Sequence, residues 1–154
     1  MAKKSQWRKL RDECDDFFSL LVRARDGFAC TRCGKYKGLG PFLHASHLIG
    51  RSNYAVRWDL RNVWAQDNGC HRYFGSQNHH EYFDWVRQRI GPQNYAGLMQ
   101  LAQNGRRGRA QWTVDDLTDL RQALLEALQT YTEVLHTAGG AHGYTRLMRQ
   151  VLGI

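Results

Sequence analysis

Apolar residues recur at every third or fourth position near the start of the chain, between residues 5 and 26. This spacing predicts an amphipathic helix with Ser5 as its N-cap and Gly27 as its stop. Cys14 falls on the apolar stripe, which predicts a core thiol rather than a metal ligand. The stripe comprises Trp7, Leu10, Cys14, Phe17, Phe18, Leu21 and Val22.

The helical pattern fails over residues 27–70, which are rich in glycine, asparagine and aromatic residues. Short strands fit at 42–49 and around 61–66, with glycines marking the turns between them. This segment has too little apolar periodicity to fold by burial alone, so we expect a bound metal ion to supply the missing stability.

Helical spacing returns after Gly75 and breaks at Gly91, and it predicts another helix over 93–103. A long amphipathic helix follows over 113–137, with Thr113 as its N-cap and acidic residues in the first turn. Its apolar stripe is typical of an intradomain core, and a homodimer formed through 113–137 is the open alternative. The stripe consists of Leu117, Leu120, Leu124, Leu128, Tyr131 and Leu135.

These elements predict an α+β fold that is mostly helical. The length of 154 residues suits one compact domain, and we expect a single domain over 1–154. Its parts are an N-terminal helix at 5–26, a metal-binding core at 27–91 and a helical extension at 92–154.

The chain carries 22 Lys and Arg against 14 Asp and Glu, a formal net charge of +8. A basic excess of this size favours a polyanionic partner, most often nucleic acid. The sequence contains no apolar signal-peptide core and no run of about 20 apolar residues, so it predicts no membrane partner. We expect a cytoplasmic protein of a bacterium or a phage-infected host.

Three cysteines and an aspartate have the spacing of a structural zinc site. Cys30 and Cys33 form a C-x-x-C pair, and Cys70 ends a second turn in which Asp67 holds the position of the fourth ligand. Two such turns present four ligands to one Zn²⁺ ion. A histidine or water in place of Asp67, and a redox-active dithiol in place of the zinc site, are the alternatives.

A second, catalytic site is predicted from histidines beside this zinc pattern. His47 ends a short strand, and a neutral imidazole there can act as general base in phosphodiester hydrolysis. His71 follows Cys70 and is held by the zinc turn, so it is the first candidate ligand for Mg²⁺ or Mn²⁺. Asn62 can fix His47 through hydrogen bonds to the backbone, and His44 is either a second metal or phosphate ligand or an exposed residue.

The motifs HASHLIGR at 44–51 and RWDLRNV at 57–63, followed by Cys70, resemble those of the phage lambda NinG (Rap) recombination proteins. The resemblance covers about residues 27–101 and extends more distantly to phage endonuclease VII. It implies a ββα-metal (HNH) core, His47 as general base, His71 as the last metal ligand, and Cys30, Cys33 and Cys70 as zinc ligands. Asp67 replaces a family cysteine, and Ser46 stands where the wider HNH class has a metal-binding residue.

The resemblance implies a metal-dependent endonuclease that acts on branched or recombining DNA, in the manner of a Holliday-junction resolvase. A catalytically inactive, zinc-stabilised DNA-binding module is one alternative, and an HNH nickase for phage packaging or restriction is another. Arginines around the site and in a basic loop are expected to hold phosphates without reading sequence. They are Arg51, Arg57, Arg61, Arg106, Arg107 and Arg109.

Overall fold

A computed structural model describes residues 5–38, 41–106 and 108–137 of the chain. A π-helical turn, Tyr73–Gln77, lies between α2 and α3, and a 3₁₀ turn, Arg109–Gln111, precedes α5. The elements are α1 (Gln6–Arg25), β1 (Leu43–His47), β2 (Val63–Asp67), α2 (Asn68–Arg72), α3 (His79–Ile90), α4 (Pro92–Asn104) and α5 (Val114–Thr137).

The predicted α+β class is confirmed: long helices accompany one small sheet. Helix α1 begins where it was predicted, since the Ser5 side-chain oxygen accepts a hydrogen bond from the Arg8 amide at 3.4 Å. The predicted break between α3 and α4 falls at Gly91, whose φ of 81° ends the first helix. Pro92 then opens α4, where its missing N–H has no helical partner to lose.

The sequence did not predict α2 or the π-helical turn that follows it. Gly69 suggested a turn, but it lies inside α2 because Asp67 caps that helix. The Oδ1 atom of Asp67 accepts a hydrogen bond from the Cys70 amide at 2.8 Å, which satisfies a donor at the helix start. The side chain therefore starts a helix in a segment of poor helical composition.

The two strands pair antiparallel, as the sheet β1–β2. Leu43 lies opposite Asp67 at one end of the pair, and His47 lies opposite Val63 at the other. Residues directly opposite each other share a face, so His44 and Gln66 point to the same side of the sheet. His47 points to the other side, because side chains alternate along a strand.

Contacts between residues divide the chain into two compact units. The expectation of a single domain over 1–154 stays a prediction. Within the described residues, the first unit joins residues 5–17 with residues 114–137. In it, Arg121 pairs with Glu13, and the Cys14 thiol donates to the Leu117 carbonyl at 3.5 Å. The apolar stripe of α5 is buried within the chain at Leu117, Leu124 and Leu128, and dimerisation through 113–137 stays a prediction.

The second unit, Phe18–Thr113, has a core between the sheet and the helices α3 and α4. Its centre is an aromatic stack in which the rings of Phe74 and Tyr82 lie 4.6 Å apart and nearly parallel. Trp64 of β2 meets Trp85 of α3 edge to face at 5.3 Å. The cluster is formed by Leu48, Val56, Trp64, Phe74, Tyr82, Val86, Leu98 and Ala102.

Among the described helices, none combines the length and the apolar character that crossing a bilayer requires.

Replacing Tyr82 by phenylalanine tests how tightly α3 is bound to the sheet. The Tyr82 hydroxyl is buried and donates to the Ser46 carbonyl at 2.9 Å, so its loss removes a buried hydrogen bond between α3 and β1. We expect Tyr82→Phe to lower the free energy of unfolding by about 1–2 kcal/mol in urea titrations. Tyr36→Phe is the matched control, since Tyr36 is 73% exposed. Equal losses in both variants would contradict this packing.

Candidate metal centre and histidine site

The C-x-x-C pair lies in a tight loop directly after α1. Gly27 and Phe28 both have positive φ, 64° and 52°, and they turn the chain out of the helix. The Cys30 amide donates to the Lys35 carbonyl at 2.9 Å, and the Gly34 amide donates to the Cys30 carbonyl at 2.8 Å. The loop therefore closes on itself, with the thiol of Cys30 buried and that of Cys33 exposed.

Hydrogen bonds attach this loop to strand β2. The amide and the hydroxyl of Thr31 both donate to the Ala65 carbonyl, at 2.8 and 2.9 Å. The Ala65 amide in turn donates to the Asp26 carboxylate at 2.8 Å. Arg25 pairs with the same carboxylate at 2.7 Å and donates to the Val63 carbonyl at 2.8 Å. Cys30 and Cys33 are thus held beside the strand that ends in Asp67.

The four predicted ligands come together. One ligand atom from each of Cys30, Cys33, Asp67 and Cys70 lies within 4.8 Å of all the others. The Cys33 sulfur lies 3.2 Å from Asp67 Oδ2. In a tetrahedral zinc site with bonds of about 2.0–2.3 Å, neighbouring ligand atoms lie at separations similar to those between these four residues. The cluster could therefore hold a metal ion such as zinc, with Asp67 as the fourth ligand.

Electrostatics in the cluster favour a bound cation. Burial raises the pKa of the Cys70 thiol to about 12, and the neighbouring Cys30 adds to the effect. The hydrogen bond from the Cys70 amide, followed by that from Cys33, lowers the pKa of Asp67. Three sulfurs and a carboxylate in contact cannot all be ionised without a positive charge among them, and a divalent metal ion supplies that charge.

Two of the three predicted site histidines meet. The ring centroids of His44, on β1, and His71, on α2, lie 5.5 Å apart. Burial lowers the pKa of His71, and the charges of His44 and Arg51 lower it further. The imidazole of His71 can therefore be a neutral ligand near pH 7.

His47 lies at the end of β1, on the opposite face of the sheet from His44. Its Nε2 is 2.9 Å from the Arg57 carbonyl, which can only accept, so the neutral ring keeps its proton there and Nδ1 is the basic nitrogen. Burial lowers the pKa of His47 below its usual value, and the charge of Arg51 acts in the same direction. The Arg57 and Ala45 carbonyls oppose this shift without reversing it.

Asn62 is fully buried and bonds to the segment that follows His47. Its Oδ1 accepts from the Ile49 amide at 2.8 Å, and its Nδ2 donates to the Ile49 carbonyl at 3.0 Å and to the Val56 carbonyl at 2.9 Å. The Asn62 carbonyl also accepts from the Leu48 amide at 2.9 Å. These bonds fix the chain immediately after His47.

The proposed phosphate-binding arginines fall into different environments. Arg51 is exposed. Arg57 is only 7% exposed, with its guanidinium over the rings of Tyr54 and Trp58, so the prediction that it holds phosphate does not agree with its burial. Arg61 pairs with Asp59 at 2.6 Å, which neutralises its charge.

In the basic loop, Arg106 and Arg109 are exposed, and Arg107 lies outside the described residues. The guanidinium of Arg106 lies 5.0 Å from the Trp112 ring. These two arginines can reach a ligand in solvent, and their predicted contact with DNA stays a prediction.

Two further residues were not found from the sequence. Arg32 stacks on Tyr73 at 3.8 Å, and its NH1 lies 3.8 Å from the Cys70 sulfur. Gln66 is buried, although a glutamine in a short strand suggests a solvent-facing position. A depression of about 320 Å³ also opens beside His71, between α2 and the π-helical turn.

No protein-family model matches the chain, and no curated protein and no solved structure matches it. The resemblance to NinG proteins therefore rests on the sequence motifs alone, and membership of that family stays a prediction.

Metal binding by the four-ligand cluster can be measured with Co²⁺, whose visible spectrum reports thiolate ligands in tetrahedral geometry. We expect the chain to bind a single such ion in the cluster. Cys33→Ser removes one thiolate at an exposed position, so it is expected to weaken binding by about 10-fold or more.

Cys14→Ser is the matched control, because Cys14 lies outside the cluster and serine keeps a donor to the Leu117 carbonyl. Equal weakening by both substitutions, or a wild-type spectrum without thiolate bands, would contradict the assignment.

Proposed function

We propose that the chain is a metal-dependent HNH-type endonuclease that hydrolyses phosphodiester bonds in DNA, with His47 as general base. The observation that carries the proposal is the order of elements around the histidines. An antiparallel strand pair leads directly into α2, and these elements carry His47, His44 and His71 beside a four-ligand metal cluster. This arrangement agrees with the ββα-metal core that the motifs suggest.

His47 would remove a proton from the attacking water. The lowered pKa of His47 favours the neutral ring near pH 7, and only the neutral ring can accept a proton. Asn62 positions the ring indirectly, by fixing the backbone that follows it. Exposed Arg51, whose charge acts on both His47 and His71, would hold the phosphate next to them.

A divalent ion at His44 and His71 would neutralise charge on the phosphate when bound. The two residues offer imidazole nitrogens and no carboxylate, a donor set that suits transition metals better than Mg²⁺. We therefore expect Mn²⁺, which accepts nitrogen ligands more readily than Mg²⁺, to be the better activator.

Branched DNA is the proposed substrate. Support comes from the net charge of +8 and from exposed arginines at the site and in the 104–109 loop, which can hold more than one phosphate backbone. No helix-turn-helix or other base-reading motif was found in the sequence, so a preference for DNA structure over base sequence is expected.

A catalytically inactive DNA-binding module is the second candidate. The observation that favours it is Ser46, which is buried at the strand position where a metal-binding carboxylate or histidine would support catalysis. Such a protein would keep the metal cluster and the basic surface and would bind DNA without cutting it.

Cleavage of a synthetic four-way junction and a matched linear duplex separates these candidates. With Mn²⁺ present, we expect symmetric cuts near the branch point, and His47→Ala should slow them by about 10²- to 10⁴-fold because the general base is lost. His80→Ala is the control, since His80 is exposed on α3. Cutting of both substrates would support a packaging or restriction nuclease, and tight binding without cutting would support the inactive module.

The pH dependence of cleavage tests the state of His47. Because burial lowers its pKa, the reactive neutral form predominates at pH 7, and the rate at saturating DNA should fall only as the pH drops below about 6.5. Arg51→Gln removes a charge that lowers this pKa, so the falling limb should move to higher pH. A rate that does not change between about pH 5 and pH 7, the range in which a histidine titrates, would contradict a histidine base.

A further inference from the structure

Gln66 is a buried side chain whose polar atoms have no partner. Its exposure is 0%, and neither Oε1 nor Nε2 makes a hydrogen bond within the described structure. Buried amides are almost always hydrogen-bonded, because an unpaired donor or acceptor loses its contact with water without compensation. An unpaired glutamine inside a strand therefore points to a ligand at this position.

The strand register shows what Gln66 faces. Gln66 lies directly opposite His44, so the two side chains share one face of the sheet and their Cβ atoms are about 5 Å apart. His44 meets His71 of α2 on that face. Asp67, the next residue, points to the other face and belongs to the four-ligand cluster. Gln66 thus stands with the histidine pair and apart from the cysteines.

We propose that Gln66 is the third protein ligand of the ion held by His44 and His71, through its Oε1 atom. This inference rests on the proposed function, which places an ion at the histidine pair. A carboxamide oxygen is an accepted ligand for divalent cations, and binding would satisfy the buried Oε1 atom.

The proposed donor set is neutral, with two imidazoles and one amide. It leaves the full positive charge of the ion to attract a phosphate of the DNA, and it explains how the site works with Ser46 in place of a carboxylate. A ligand role also explains why position 66 is a glutamine. A leucine would fill the same buried space without leaving an amide unpaired. A purely structural Gln66, hydrated by a buried water, is the competing explanation.

Mn²⁺ titration followed by electron paramagnetic resonance tests the proposal on the full chain. The cysteine cluster is first loaded with one equivalent of Zn²⁺, which prefers the thiolates to the histidine pair. Mn²⁺ does not displace it, because Mn²⁺ binds thiolates more weakly. We expect Gln66→Leu to weaken Mn²⁺ binding about 10-fold or more, while its midpoint of urea unfolding stays equal to wild type or rises. Gln66→Glu, which offers a charged oxygen in the same volume, should tighten Mn²⁺ binding about 10-fold. Gln77→Leu, at an exposed glutamine in the π-helical turn, is the control and should bind as wild type.

Mn²⁺ affinity equal to wild type in Gln66→Leu would overturn the ligand role and leave the ion site of the proposed function standing. If Gln66→Leu does not fold, Gln66→Glu decides alone, and unchanged or weaker Mn²⁺ binding in that variant overturns the inference. A zinc-loaded wild-type chain that binds no Mn²⁺ would overturn both the inference and the ion site on which it rests. Cleavage is not needed for any of these readouts.

Discussion

The carboxylate of Asp67 joins the parts of the candidate site. One oxygen caps α2 through the Cys70 amide at 2.8 Å, and the other lies 3.2 Å from the Cys33 sulfur. The same residue ends β2, opposite Leu43. Strand, helix and cysteine loop therefore meet at one side chain, and any metal ion in the cluster would hold all three together.

This junction matters because the segment around it lacks a large apolar core of its own. The cluster centred on Phe74 and Tyr82 packs α3 and α4 against the sheet, but the cysteine loop is attached by hydrogen bonds at Thr31 and Asp26. Polar contacts of this kind contribute little net stability each. We expect metal binding to supply the larger part of the free energy that holds the loop against β2.

The histidines depend on the same geometry. His71 is the residue after Cys70, so the position of α2 decides whether its ring meets His44. His47 depends more on Asn62, whose bonds to Ile49 and Val56 order the chain after β1. A loss of metal would therefore disturb the two sides of the site to different extents.

Local patterns in the sequence were enough to predict α1, α3, α4 and α5, because three- and four-residue spacing of apolar side chains is a strong signal. The cysteine spacing likewise predicted which residues would cluster, including Asp67. Helix α2 was missed because Asp67 was interpreted only as a ligand, although it also caps the helix.

The environments of Arg57 and Gln66 could not be predicted from nearby residues. The guanidinium of Arg57 lies over the rings of Tyr54 and Trp58, which in turn meet Trp112 from a distant part of the chain. Gln66 is buried on the sheet face that carries Trp64 of the apolar core. Tertiary contacts of this kind leave no periodic signal in the chain.

Amide hydrogen exchange, measured on the zinc-loaded chain and again after chelation, tests most directly whether the metal cluster holds the site together. We expect chelation to remove protection from the amides of Thr31, Ala65 and Cys70, which bond across the junction, while amides near Val86 in the α3 core keep theirs. Unchanged protection at those three amides after complete removal of the metal would contradict a metal-held site.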